Sequence, residues 1–347
     1  MLTIGIETHK ATLAVSAIDA TGREHGARTF PNDHPGHVKL LHWAQALGAE
    51  RRFGIEGSGS FGAALARLLV AAGEQVVEVP AILTDRERRH LRRAGKSDPG
   101  DALGIARVAL REEGLGPIPM PGITEDMELL VDARDQRVGE RTRVANRLHA
   151  NLVVLAAGYK RAIPNLASVS HRAALAHLLN DLVGVRADLA RADLARLLEL
   201  DAECTALEKR LRSLVRLSGS SLPTITGVAA ITAAKLLGET GDPRRIRSTP
   251  AFAAMSGTAP IPASSGQTSR HRLNRGGNRQ LNRALHTIAL VQARTDPRAQ
   301  AYMARRTTEG KSRLEAMRCL KRHLADVVLR TMLADVERSA APVKVGA

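Results

Sequence analysis

The chain has 347 residues, 44% of them hydrophobic and only 2% aromatic, so two or three domains with a core of Ala, Leu, Val and Ile are expected. Lys and Arg total 51 against 35 Asp and Glu, a formal net charge of +16, which favours a polyanionic partner, most simply nucleic acid. Two cysteines, Cys204 and Cys319, are too few for a disulfide framework or a zinc ribbon. No apolar run is long enough for a membrane span and residues 1–20 lack a signal pattern, so a cytoplasmic, nucleoid-associated protein is expected.

The chain opens as α/β. "LTIGIETHKATLAVSAID" reads as a strand, a short break and a second strand, closed by the turn "ATGRE". "HVKLLHWAQALG" has helical spacing, "RRFGIEGSG" is a short buried strand ending in a Gly-rich turn, and "SFGAALARLLVAAG" is a helix stopped at Gly73. "EQVVEVP" adds a strand, and the alternation predicts a sheet covered by helices. The basic run "RERRHLRRAGK" follows, then "SDPGDALGIARVAL", where Pro99 suits a first helical position, with Asp98 at the N-cap and Asp101 in the first turn.

From about 124 to 215 two long helical patterns replace the strands. Leu182, Val185, Leu189, Leu200, Leu207, Leu211 and Leu214 fall near heptad spacing with charges between them, which predicts a coiled-coil dimer arm; a helical hairpin packed within one subunit is the alternative. "LPTITGVAAITAAKLLGETGD" then reads as two short helical stretches about a Thr226-Gly227 turn, similar to a helix-hairpin-helix whose turn amides can hold a phosphate.

Two groups of residues carry candidate chemistry. Glu7 and Glu56 each follow a short apolar strand, and strand ends are where open α/β sheets build sites. With Asp98 and Asp101 they form a set of oxygen ligands suited to Mg²⁺, and two such ions can stabilise a phosphodiester exchange. Each acid alone is equally at home as a cap or a loop residue. The second group lies in residues 243–295, which hold nine arginines and no acid. There "GTAPIPASSGQTSRHRLNRGGNRQLNRAL" places a Ser-Gly turn before an Arg-rich loop, a Gly-Gly break and a basic helix. Arg270, Arg272, Arg275 and Arg279 suit phosphate through their planar forks. The serine is either a nucleophile, which needs activation, or simply a turn former in a nucleic-acid-binding loop.

"GIETHK", "GIEGSGSFG" and "KSDPGDALGIA" resemble, in order, the acidic motifs of the DEDD transposases of the insertion sequence 110 family. "TITGVAAITAAKLLGETGD", "FAAMSGTAPIPASSGQTSRHRLNRGGNRQLNRAL" and "GKSRLEAMRCLKRHLADVV" resemble its carboxy-terminal domain, so the resemblance covers nearly the whole chain. It implies a RuvC-like α/β domain of the RNase H type over 1–118, a helical coiled-coil oligomerisation region over 119–215, and a mostly α transposase domain over 216–340. It also implies a DNA recombinase guided by a structured bridge RNA that pairs with donor and target DNA. Mg²⁺ would be held by Glu7, Glu56, Asp98 and Asp101, and Ser265 would form a covalent phosphoserine link to DNA at a composite site in a dimer or tetramer. Glu7 departs from the family's usual Asp, which moves the carboxylate out by roughly one ångström or more. Ser264 stands beside Ser265, and the following glycine favours Ser265. A RuvC-like metal nuclease without a serine nucleophile, and a non-catalytic basic nucleic-acid-binding protein, are the rival readings.

Overall fold

A computed structural model describes residues 1–90, 98–116, 118, 121–262, 271–272, 274 and 276–340. The chain divides into two compact units, residues 1–120 and 121–347.

The first unit is built on a five-stranded mixed sheet. Its strands are β1 (Leu2–Thr8), β2 (Thr12–Ile18), β3 (Glu24–Pro31), β4 (Arg51–Ile55) and β5 (Gln75–Glu78), in the order β3-β2-β1-β4-β5. β1, β2 and β3 form an antiparallel meander, whereas β4 and β5 run parallel to β1. The parallel pairs need crossovers, supplied by α1 (His34–Leu47) between β3 and β4 and α2 (Ala63–Ala71) between β4 and β5. Asp33 caps α1 by accepting from the Gly36 amide, and Gly73, the stop expected from sequence, follows α2 at φ 80°. After β5 come α3 (Ala81–His90) and α4 (Asp98–Arg111).

Period-two alternation sorts the strand residues between two faces. Ile4, Ile6, Phe53 and Ile55 are buried on one face among Leu40, Ala44, Leu65 and Leu69 of α1 and α2. Gly5 and Gly54 point to the other face, where α4 lies so close that a Cβ on Gly5 would meet the Ala102 carbonyl oxygen at 2.2 Å.

The second unit is helical apart from one small strand pair. Its long helices α5 (Ile123–Leu155) and α7 (Val185–Leu217) pack along each other, with α6 (Val169–Asn180) at one end. The remainder comprises α8 (Ala230–Thr240), α9 (Thr249–Met255), the strands β6 (Ile261–Pro262) and β7 (His271–Arg272), α10 (Arg279–Thr295), α11 (Pro297–Thr308) and α12 (Arg313–Ala340).

The heptad expectation meets a specific outcome here. The seam of α7 is Ala187, Ala190, Leu194, Leu197, Leu200, Cys204, Leu211 and Val215. Part of it is buried with Val144, Leu148 and Leu152 of α5 in the same chain, which is the packed hairpin. Val185 and Leu189, assigned to the seam from sequence, are 75% and 55% exposed. The charges between the leucines pair across the hairpin: Arg134 with Glu208 at 2.8 Å, Arg137 with Glu203 at 2.8 Å, Arg147 with Asp193 at 2.8 Å and Arg196 with Glu140 at 2.9 Å.

The expected pair of helices around Thr226-Gly227 is corrected on one side, where a single 3-10 turn, Leu222–Thr224, precedes the glycine. Gly227 has φ 87° and packs on α10, and the Thr226 carbonyl accepts from Gln292 Nε2 at 2.8 Å, so α10 fixes the turn. Among the described residues, no helix is long and apolar enough to cross a membrane.

Candidate active site

In the first unit two of the acids, Glu7 and Glu56, stand at the same end of the sheet. Ile6 pairs with Ile55 across the parallel β1–β4 ladder, and the Glu56 amide donates to the Ile6 carbonyl at 3.2 Å, extending the pairing one step. Glu7 and Glu56 therefore leave adjacent strands at neighbouring positions. By alternation both side chains share the face of Gly5 and Gly54, the face that α4 covers. The contact is possible only because both strands carry glycine there. Ala102 and Ala106 lie over Gly5, and Ile105 and Ala109 over Gly54, so the first turn of α4, with Asp98 and Asp101, is carried to the same side of the sheet.

Glu7, Glu56 and Asp101 are each half-buried. Thr84 of α3 donates its hydroxyl to Glu56 Oε2 at 2.7 Å, and Thr8 donates to the Glu56 carbonyl at 2.9 Å, so both the side chain and the backbone of Glu56 are fixed. Behind them the Arg111 guanidinium of α4 meets buried Glu87 of α3 at 2.7 Å, tying the two helices together. Glu87 and Thr84 carried no sequence signal, because α3 has no apolar stripe to mark its inward face.

The donor set suits a hard divalent cation in kind, being all carboxylate oxygen. Among the described residues no three His, Cys, Asp or Glu side chains come together closely enough to hold an ion. The Asp98 side chain lies outside the described residues.

In the second unit, β6 and β7 pair antiparallel, Ile261 with Arg272 and Pro262 with His271, and so fix the two ends of the segment holding the Ser-Gly pair. Ser264, Ser265, Arg270 and Arg275 lie outside the described residues. Arg272 is exposed on β7, and Arg279 is exposed in the first turn of α10.

The base of this strand pair is built from glycine contacts. A Cβ on Gly277, at φ 82°, would stand 2.6 Å from the Gly257 amide nitrogen, and one on Gly257, at φ 63°, would stand 2.6 Å from the Gly276 carbonyl oxygen. The Gly-Gly break thus lets the two flanking segments touch backbone to backbone. Asn278 caps α10 by accepting from the Gln280 and Leu281 amides, while its own amide nitrogen donates to the Met255 carbonyl at 2.6 Å. Asn282 Nδ2 donates to the carbonyls of Ser256 and Gly257.

Comparison with sequence families and with curated relatives gives a consistent result. The family signature described as Transposase, of the DEDD IS110 type, matches residues 4–157, and that described as Transposase IS116/IS110/IS902 family matches residues 219–304. The insertion element IS900 uncharacterized 42 kDa protein of Mycobacterium paratuberculosis is 27% identical, over 95% of both chains. The insertion element IS116 uncharacterized 44.8 kDa protein of Streptomyces clavuligerus is 24% identical, over 96% of this chain and 94% of its own. Among solved structures, T. thermophilus RuvC in complex with a Holliday junction substrate aligns with 30% of this chain and 90% of its own, at 15% identity and a TM-score of 0.25.

Proposed function

The chain belongs to the IS110/IS116/IS902 family of transposases, enzymes that cut and rejoin DNA, and from that premise we propose how its residues divide the work. The observation that carries the reading is the placement of Glu7 and Glu56 at the ends of adjacent parallel strands, on the sheet face that α4 covers with Asp98 and Asp101 in its first turn. The family's acid set implies use of a divalent metal. We assign Mg²⁺ to Glu7, Glu56, Asp98 and Asp101; bound there, it would stabilise charge on the attacking and leaving oxygens of a phosphodiester. Thr84 keeps the Glu56 carboxylate aimed, and Glu87 with Arg111 keeps α3 and α4 together.

The division of labour follows the sequence: residues 1–118 hold the acids, 119–215 serve assembly into dimers or tetramers, and 216–340 carry Ser265. Ser265 Oγ attacks phosphorus, an Oγ–P bond forms, and the bond from phosphorus to one DNA oxygen breaks. The serine proton ends on the departing DNA hydroxyl. Attack by a hydroxyl of the second DNA reverses the step, so the phosphodiester is conserved and exchange needs no ATP. We assign Arg270, Arg272, Arg275 and Arg279 to neutralising the phosphate charge, for which arginine forks are suited. A structured guide RNA selecting donor and target DNA is the remaining part of the proposal. The formal charge of +16 suits a protein that binds two polyanions at once.

The test is strand cleavage across a Mg²⁺ titration. Asp101→Asn is expected to abolish cleavage with an unchanged unfolding midpoint, and Glu7→Asp to retain or raise activity. Unchanged cleavage by both Asp98→Asn and Asp101→Asn would reduce these acids to capping residues and overturn the assignment.

A further inference from the structure

The described residues contain two buried lysines, and they differ in one respect. Lys235, 6% exposed, donates to Asp135 Oδ2 at 2.6 Å and to Gln280 Oε1 at 2.8 Å, so its charge is neutralised inside the fold. Lys321 of α12, 8% exposed, donates to Asn282 Oδ1 at 2.7 Å, a neutral acceptor. Burial, and after it the nearby positive charge of Arg279, holds its pKa below the usual lysine range. Burying an ammonium without a counter-ion is costly. An anion that reached this group would relieve that cost.

Lys321 also lines an open cleft of about 530 Å³ between the β6–β7 strand pair and helices α11 and α12. Arg272, Arg306, Lys311, Arg318 and Arg322 line the same cleft, against two carboxylates, Glu315 and Asp326. Those carboxylates are already committed: Asp326 holds Arg322, and Glu315 caps α12 at Ser312 and lies 3.8 Å from Arg318. One wall is stiffened by Tyr302, whose ring stacks on His323 at 6.1 Å and lies under the Arg306 guanidinium at 5.1 Å. Asn282, held by Lys321, in turn holds the Ser256 and Gly257 carbonyls where the chain enters β6.

We propose that this cleft is a phosphate-binding subsite, in which Lys321 meets an oxygen of one nucleic-acid backbone phosphate while Arg272, Lys311 and Arg318 meet that phosphate or its neighbours. The proposal rests on nucleic acid being the partner, and not on the Ser265 chemistry. An anion in this cleft lies one hydrogen-bonded side chain, Asn282, from the Ser256 and Gly257 carbonyls.

The test uses the full chain and Lys321→Met, which keeps the stem and removes the charge. Binding of a DNA duplex, a DNA single strand and an RNA of equal length is measured across a salt titration, and unfolding midpoints are compared in chloride and in inorganic phosphate at equal ionic strength. Lys321→Met is expected to unfold no earlier than wild type in chloride, because it removes an uncompensated buried charge. Its affinity should fall about tenfold, and its salt slope should flatten by about 0.9 on duplex DNA or about 0.7 on a single strand, the values for one lost phosphate contact. Phosphate should raise the wild-type midpoint by more than it raises that of Lys321→Met, which keeps only the general stabilisation by an excluded salt. Lys235→Met, which takes from Asp135 its shortest partner and leaves it Arg134 and Arg283 at 3.6 and 3.5 Å, should unfold earlier without changing the salt slope. Loss on DNA alone, on RNA alone or on both supports the subsite and identifies which strand fills it. An unstable Lys321→Met with wild-type affinity and slope would make Lys321 a prop for Asn282 and overturn the proposal alone. Failure of the wild type to bind any nucleic acid would overturn it together with the functional reading.

Discussion

Gly5→Ala asks whether the acid-bearing helix is held on the sheet by direct contact. The added Cβ would stand 2.2 Å from the Ala102 carbonyl oxygen and 2.2 Å from the Ala106 amide nitrogen. Both are backbone atoms of α4, so no side chain can swing aside. Comfortable heavy-atom contact lies at roughly 3.5–4 Å, so α4 must lift, or β1 sink, by more than about 1 Å. Overpacking of this kind costs ~1–3 kcal/mol, and a backbone-on-backbone clash belongs at the upper end. The chemistry should suffer more than the fold. Catalytic groups must be held within about 0.5 Å, and a misplacement of about 1 Å can cost ~100-fold in rate, here by moving Asp98 and Asp101 away from Glu7 and Glu56. Gly104→Ala on the same helix is the control, since its Cβ would meet nothing within 4 Å and alanine favours the helix by ~0.5–1 kcal/mol. Urea midpoints and metal-dependent DNA cleavage measured side by side should separate the two variants. A Gly5→Ala protein as stable and as active as Gly104→Ala would refute the reasoning.

In the α5–α7 hairpin, Leu148→Ala should cost ~2–5 kcal/mol and Arg196→Ala no more than ~1 kcal/mol, because Leu148 is fully buried while Arg196 is partly exposed; equal losses in urea unfolding would show that the ion pairs hold the seam. Arg272→Ala with Arg279→Ala should flatten the salt dependence of DNA binding by about 0.9 per lost phosphate contact, and affinity indifferent to salt would remove charge as its basis. His37, buried in α1 and bonded to Asn32 Oδ1 at 2.7 Å, has its pKa lowered below 6.5 by burial. The unfolded state therefore takes up the proton first, so stability is full above 6.5 and is lost as pH falls through the depressed folded value. His37→Gln should reduce the stability lost between about pH 7.5 and about pH 5, read from urea midpoints, and a wild-type midpoint constant over that range would contradict this.

The strands of the first unit that bury an apolar face were legible: β1, β2, β4 and β5 stand where alternation and short apolar runs put them. β3 was not, because as an edge strand it buries only Phe30 and its sequence, "EHGARTFP", has no apolar period. α3 was hidden by its basic composition. Spacing found α7; within the chain its first turns give small Ala187 and Ala190 to the hairpin interior, while Val185 and Leu189 are exposed. Alanine carries a weak hydrophobic signal and packs well where helices approach closely. The acids could be named from motif order, but their shared face depends on Gly5 and Gly54, whose role shows only when α4 lies on them. Lys321 did leave a trace in the sequence. With Met317, Leu320, Leu324 and Val328 it falls on the apolar stripe of α12, where a lysine stands out.

Whether Ser265 becomes joined to DNA is the most direct test of the proposed chemistry. Protein, donor and target DNA, a guide RNA drawn from the flanking sequence and Mg²⁺ are incubated together, digested, and searched by mass spectrometry for a nucleotide attached through phosphate to a peptide. The expected result is an adduct on Ser265 that survives Ser264→Ala and disappears, together with strand exchange, in Ser265→Ala. Free nicked ends with no adduct, and full cleavage by Ser265→Ala, would contradict it and point to hydrolysis by a metal nuclease instead.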